Sequence, residues 1–191
     1  MRISRAPDLF SPFRQVELSL EQFETWLAMP EVVAEKKQAS FWSPAWFAED
    51  AKTKKLADIE GAGELVVLDV DRRELPAAFS TAPHLAYAHG TFSGKWRIAI
   101  PLTRSITLDE FPGIHAALRA LYGADENAAD VTRGYFAHSK PEGEVTRFEK
   151  RDGPIADPDQ LPRVRAQIVA LGGGSSYLRK LDAGEAFTIV E

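Results

Sequence analysis

Leu65, Val66, Val67, Leu68 and Val70 make an almost unbroken apolar run between Glu64 and Asp71. A run that short, with no polar alternation, predicts a strand covered on both faces until Asp69 and Asp71 interrupt it. The turn Gly61-Ala62-Gly63 leads into it. Two more strands are expected at 84–90 and 96–102, joined by a short loop that contains Thr91, Ser93 and Gly94, the pattern of a hairpin or of adjacent strands. In the second of them Lys95, Arg97 and Ala99 alternate with Trp96, Ile98 and Ile100. A period of two then sets two cations on one face and packs apolar groups on the other.

Helical spacing appears elsewhere. Ser19 and Gln22 form a capping box ahead of Leu20, Phe23 and Leu27, one apolar stripe that Pro30 brings to an end. Ser43-Pro44 reads as the cap and first turn of another short helix. Thr107 and Glu110 repeat the capping box for a helix to about Tyr122, with Pro112 early and Gly123 just past its end. Segments 131–138 and 145–148 read as a further strand pair across the turn Lys140-Pro141-Glu142-Gly143. A last helix is expected over 162–171, before Gly172-Gly173-Gly174. Strands and helices mix without strict alternation, which predicts an α+β fold with a mainly antiparallel sheet flanked by helices. The expected layout is one domain over 1–171, comprising a helical lead-in (1–62), a core (63–161) and a closing helix (162–171). A Gly/Ser hinge and tail follow over 172–191.

Composition narrows the function. The absence of cysteine excludes disulfide frameworks, thiolate-bound zinc, iron–sulfur clusters and thiol catalysis together. With 23 basic against 28 acidic residues, the net charge of -5 excludes a protein that coats nucleic acid nonspecifically, so any such contact is local. No apolar run reaches the roughly eighteen residues of a membrane span, and Met1 to Arg14 lacks the apolar core of a signal peptide. A cytoplasmic protein without a membrane partner is expected.

The chemistry concentrates where the apolar strand ends. Asp69 and Asp71 are two residues apart, so their carboxylates share a face with Cα atoms about 6 to 7 Å apart. Paired carboxylates at a buried strand's edge suit hard cations such as Mg²⁺ or Mn²⁺ that bridge phosphates. The plainer alternative is that Asp71-Arg72-Arg73-Glu74 starts a solvated turn, but a turn needs one polar residue and not two in register. Two like charges this close also repel, so neutralising either is expected to leave the fold intact. Lys95 and Arg97 nearby would neutralise a polyphosphate, arginine through its bidentate fork. Lys36 and Lys37, interleaved with Phe41, Trp42, Trp46 and Phe47, read first as a satellite core and second as a base-stacking surface. Asp-x-Asp by itself is shared by haloacid-dehalogenase-type phosphatases, nucleotidyl cyclases and polymerases, and the phosphatase pattern wants Thr or Val where Arg73 stands.

The order of motifs resembles the archaeo-eukaryotic primase superfamily, within it the primase-like domains at the front of phage and plasmid replication proteins. The resemblance spans roughly 36–161. It is carried by Lys37, Trp42, Pro44 and Ala45, then Leu65-Val66-Val67-Leu68-Asp69-Val70-Asp71, then His89-Gly90-Thr91-Phe92-Ser93. Arg97-Ile98-Ala99-Ile100-Pro101-Leu102 and Asp130-Val131-Thr132-Arg133-Gly134-Tyr135-Phe136 complete it. It implies a primase-polymerase-like fold with an RRM-like catalytic core. The implied activity is a DNA primase/polymerase-type nucleotidyltransferase that uses two divalent metals, Mg²⁺ or Mn²⁺, to add nucleotides to a 3′ hydroxyl in phage, plasmid or mobile-element replication. Asp69, Asp71 and Asp130 would be the catalytic metal ligands, and Ser93, Lys95, Arg97, Arg133 and His138 would bind nucleotide. Nucleoside triphosphates, a DNA template and primer, and a replicative helicase are the implied partners. One motif departs from the pattern: Lys95-Trp96-Arg97 stands where the family carries Ser-x-His, and arginine cannot deliver a proton at neutral pH. The rival readings are a noncatalytic nucleotide-binding or replication accessory module with a degraded site and, third, a metal-dependent phosphatase.

Overall fold

A computed structural model describes residues 1–49, 51, 55–125 and 130–161. The first half of the chain holds β1 (Arg2–Ala6), β2 (Arg14–Glu17), α1 (Leu20–Ala28), β3 (Glu31–Val32), β4 (Phe41–Ser43), β5 (Trp46–Phe47), β6 (Ile59–Gly61) and β7 (Gly63–Val70). The second half holds α2 (Ala77–Thr81), β8 (Ala86–Gly90), β9 (Trp96–Ile106), α3 (Phe111–Tyr122), β10 (Tyr135–Phe136), β11 (Ser139–Lys140) and β12 (Phe148–Arg151). The fold is α+β and mainly antiparallel; the β3–β11 pair is parallel.

The apolar run is β7, an edge of the sheet β12-β8-β9-β7. Its parity sorts the side chains into two cores. Val66, Leu68 and Val70 join Ile98 and Ile100 of β9, Phe79 of α2, and Ile114, Leu118 and Tyr122 of α3. Leu65 and Val67 join Tyr87 and Ala99 on the opposite face, against Phe23 and Leu27 of α1, Ile3 of β1, Trp42 of β4 and Tyr135 of β10. Both faces of the sheet are therefore covered, as an uninterrupted apolar strand requires. The second face is covered by α1 and by members of a second sheet, β10-β4-β1-β2.

Local signals survive intact where they are self-contained. The α1 capping box forms, Ser19 accepting from the Gln22 amide at 3.1 Å and Gln22 Oε1 accepting from the Ser19 amide at 2.8 Å. Thr107 and Glu110 make the same reciprocal pair ahead of α3, at 3.2 and 2.8 Å. Gly123 ends α3 at φ 63°, a left-handed conformation that favours glycine.

Other readings need correction. Segment 1–62 is not a helical lead-in: it carries one α-helix and six short strands among its described residues. Ser43-Pro44 starts no helix but turns the chain between β4 and β5, with Ser43 Oγ accepting from the Ala45 amide at 3.2 Å. The physical reason is that a hydroxyl followed by proline stabilises a turn as well as a cap. Segments 131–138 and 145–148 do not pair with each other. Tyr135 and Phe136 pair with β4, where Phe136 packs edge-on to Phe41 at 5.2 Å, and Phe148 pairs with β8, stacked on Tyr87 at 6.3 Å. Distant aromatic partners outweighed the nearby turn. The expected closing helix at 162–171 and the tail at 172–191 lie outside the described residues.

All four histidines are held below their ordinary value, chiefly by burial: His89 down to about 3, His115 to about 4, and His84 and His138 in the same direction. The unfolded chain protonates them near pH 6.5, whereas the folded chain stays neutral well below that, so stability is complete above pH 6.5 and falls between pH 6.5 and 3. Both ring nitrogens of His115 lack a hydrogen-bond partner. His115→Leu is expected to raise the denaturant midpoint at pH 5.5 and to flatten the pH dependence of stability by about 1 kcal/mol per pH unit. An unchanged slope between pH 7.5 and 5 in the variant contradicts the assignment.

Candidate functional site

Residues that pair across antiparallel strands share a face, and this register builds a row of polar groups. Asp69 of β7 lies opposite Arg97 of β9, and Arg97 lies opposite His89 of β8. The same parity that buries Leu65 and Val67 therefore brings Asp69 under the β10 segment. There the Arg97 guanidinium donates from Nε to Asp69 Oδ1 at 2.9 Å and from Nη1 to the Phe136 carbonyl at 2.9 Å, and lies 4.7 Å from the Tyr135 ring centroid. Arg133, just before β10, reaches the other oxygen, with Nη2 2.7 Å from Asp69 Oδ2. The Asp69 carboxylate, 15% exposed, is thus bracketed by two guanidinium groups, one oxygen each.

Tyr135 helps to keep this pair in place. Its hydroxyl donates to the Val67 carbonyl at 3.4 Å, and burial holds its phenol well above the ordinary value, so the ring beneath the guanidiniums stays neutral. Gly134 allows the approach: a Cβ there would collide with the Phe41 ring.

Asp71 stands one residue past β7, more exposed, with Lys95 Nζ 2.8 Å from its Oδ1. That hydrogen bond and charge hold its carboxyl below the usual range. The backbone turn is closed by Asp125, whose carboxylate accepts from the Asp71 amide and whose own amide donates to the Asp69 carbonyl at 3.2 Å. Lys36 completes the cluster from the opposite side, 5.2 Å from the Phe136 ring centroid. Partial burial and then repulsion from Arg97 push its ammonium below the ordinary value, and Asp69 offsets part of this.

The remaining expected residues lie elsewhere. Ser93 is in the β8–β9 turn, its hydroxyl 3.2 Å from that of Thr91. His138 is buried with its ring 5.0 Å from that of His89. Its Nδ1 donates to the Leu27 carbonyl at 2.7 Å, which leaves Nε2 to accept from the Thr146 hydroxyl at 2.8 Å. Both nitrogens are spent on structure. Asp130 is exposed, and its Oδ1 accepts from the amide and hydroxyl of Thr132 at 2.9 and 2.7 Å, while its carbonyl accepts from the Arg133 amide at 3.0 Å. It shapes the loop that carries Arg133. Tyr135 and Asp125 are the functional neighbours that sequence reasoning missed; the alternation Arg133, Tyr135 was the available signal for the first, and nothing local marks the second.

A resident divalent ion does not fit this donor set. Both oxygens of Asp69 already accept from arginine, Asp71 accepts from lysine, and among the described residues no three His, Cys, Asp or Glu side chains converge as a metal-holding group. Among the described residues, the cations Lys36, Lys95, Arg97 and Arg133 gather around the Asp69 and Asp71 carboxylates. The cluster is electrostatically prepared for an anion.

The sequence matches no known family and no curated protein. Among solved structures, the chain is similar to the AEP domain of the cyanophage S-2L primase-polymerase (PrimPol), with a TM-score of 0.52 and 15% identity over 85% of this chain and 87% of that one. A primase RepB′ is also similar, at a TM-score of 0.44 and 13% identity, over 96% of this chain and 63% of that one. The chain shares its fold with that primase-polymerase domain.

The expectation that neutralising either aspartate is silent is corrected for Asp69, whose charge is compensated in a nearly buried pair. Removing one partner of such a pair costs about 3 kcal/mol, against about 0.5 kcal/mol for an exposed one. Equilibrium unfolding should therefore separate Arg97→Ala and Asp69→Asn, both strongly destabilised, from Asp71→Asn, close to wild type. Similar midpoints for all three would show that the guanidinium pair carries no structural weight.

Proposed function

We propose that the chain is a primase-polymerase-type nucleotidyltransferase domain acting on DNA in phage, plasmid or mobile-element replication, in the cytoplasm. The observation that supports this most is the meeting, in a primase-like fold, of paired carboxylates at the end of β7 with cations from three separate segments, Lys36, Lys95 with Arg97, and Arg133. In this reading Lys95, Arg97 and Arg133 take the triphosphate, whose charge and tetrahedral oxygens suit arginine forks. The metal-ligand role expected of Asp69 and Asp71 belongs to this reading, with both Asp69 oxygens held by arginine in the resting protein, and Asp130 positions Arg133 through its loop. Ser93, in the β8–β9 turn, borders the nucleotide, and the buried His89–His138 pair backs Arg97 as a neutral wall. The reading brings Mg²⁺ or Mn²⁺ with it as a cofactor, although the resting carboxylates are engaged by cations. A helicase partner fits a domain whose net charge of -5 leaves only a local grip on DNA.

The reading of a noncatalytic replication module is favoured by one observation, the Arg97 side chain locked to Asp69 at the place of the family's histidine. Primer extension with deoxynucleotides and Mn²⁺, run beside nucleotide binding on one preparation, separates the two. The expected result is extension that falls steeply with salt and is lost in Arg97→Ala. Nucleotide binding without extension, even with a helicase supplied, would replace the polymerase reading by the accessory one. Asp130→Ala is expected to weaken both binding and extension. Loss of extension with binding intact would instead return Asp130 to the metal-ligand role.

A further inference from the structure

The resting pair around Asp69 has the form of an occupied anion site. Two guanidinium groups present one donor each, at 2.9 and 2.7 Å, to the two oxygens of a single planar anion, the arrangement that they would present to a phosphate. The anion happens to be the protein's own. We propose that Asp69 is a built-in competitor for the polyphosphate site: a triphosphate binds without divalent metal by displacing the Asp69 carboxylate from Arg133, beside an Arg97 that stays in place. This rests on the reading of the cluster as a nucleotide site and adds how that site is regulated.

The two arginines are not equivalent, and their difference sets the direction of exchange. Arg97 is 10% exposed and tied to the Phe136 carbonyl and the Tyr135 ring, so it stays where it is. Arg133, just before β10 and 5.9 Å from the Tyr135 ring centroid, is 40% exposed, so a polyphosphate arriving from solvent meets it first. Asp69 is fixed by the β7–β9 register and cannot follow. When the polyphosphate takes Arg133, one Asp69 oxygen loses its partner and gains capacity for a cation. By linkage, whatever strengthens the Asp69–arginine contacts weakens polyphosphate binding by the same factor.

The test is calorimetry with inorganic tripolyphosphate in EDTA, on the full chain, with a nucleoside triphosphate as a second arm and sulfate at equal ionic strength as the reference. Wild type is expected to bind tripolyphosphate without metal, Asp69→Asn to bind about tenfold tighter, and Arg133→Ala about tenfold weaker. Asp71→Asn removes the same charge but leaves the guanidinium pair closed, so its shift is expected to stay under about threefold. Weaker or equal binding in Asp69→Asn overturns the proposal, and so do equal gains in Asp69→Asn and Asp71→Asn, which would indicate general electrostatics. If Asp69→Asn does not fold, wild-type arginine side-chain NMR in the same titration decides. Perturbation of the Arg133 signals sustains the exchange, and an unmoved Arg133 overturns it. A triphosphate arm tighter than tripolyphosphate identifies a nucleotide as the ligand, whereas equal affinities identify the polyphosphate alone, and the exchange holds in either case. Metal-free binding without primer extension would sink the polymerase reading and leave this inference standing. Extension with no metal-free binding would do the reverse.

Discussion

A carboxylate under a layer of aromatic rings has to be compensated, and the site is organised around meeting that requirement for Asp69. An isolated carboxylate in such surroundings costs several kcal/mol. The compensation comes from two guanidiniums, and each constrains a different part of the chain. Arg97 is tied to the register of β9 against β7, and through its Phe136 contact to the placement of β10. Arg133 ties the loop ahead of β10 to the same point. The first and second sheets thus meet through one buried charge as well as through the apolar contacts of Trp42, Tyr135 and Val67.

Neutral neighbours make that charge more effective. His89 is fully buried beside Arg97 and stays unprotonated far below neutral pH, and His138 packs against it with both nitrogens bonded. Tyr135 stays protonated beneath the guanidiniums. A wall of neutral rings excludes water and leaves the cations to interact with whatever anion is present, more strongly than at an open surface. A protonated His89 would be repelled by Arg97, so its burial and the charge of the cluster support each other.

What the sequence discloses follows the range of the interactions. β7, α1, α3 and the β8–β9 hairpin are legible because capping boxes, apolar parity and a short turn act within a few residues. The α+β class and the shared face of Asp69, Arg97 and the covered strand follow from the same parity. The strands of the first sixty residues are not legible, since segments as short as β4 and β5 acquire their pairing only from β1, β6 and β10. For the site, the aspartates and cations stand out singly, but their partners do not. That Arg133 would take one oxygen of Asp69 across more than sixty residues, or that Asp125 would close the Asp71 turn, is long-range geometry. Hence the repulsion expected between two adjacent carboxylates gave the wrong sign for Asp69. Each carboxylate had found cations of its own.

The fold by itself does not decide the chemistry, because one scaffold supports catalytic and noncatalytic sites alike. The local charge does more. In a chain with a net charge of -5, four cations gather at one strand end, and one of them, Lys36, is pushed below its ordinary value by partial burial and then by repulsion from Arg97. Such an arrangement is costly without an anionic ligand, and Asp69 relieves part of that cost in the resting protein. A carboxylate suits the purpose because its charge is single and its position fixed by the sheet. A polyphosphate offers more charge to the same arginines and leaves the aspartate behind. The residue that stabilises the empty site is then the residue exposed when the site fills, so occupancy by phosphate and availability of the carboxylate are coupled by geometry alone.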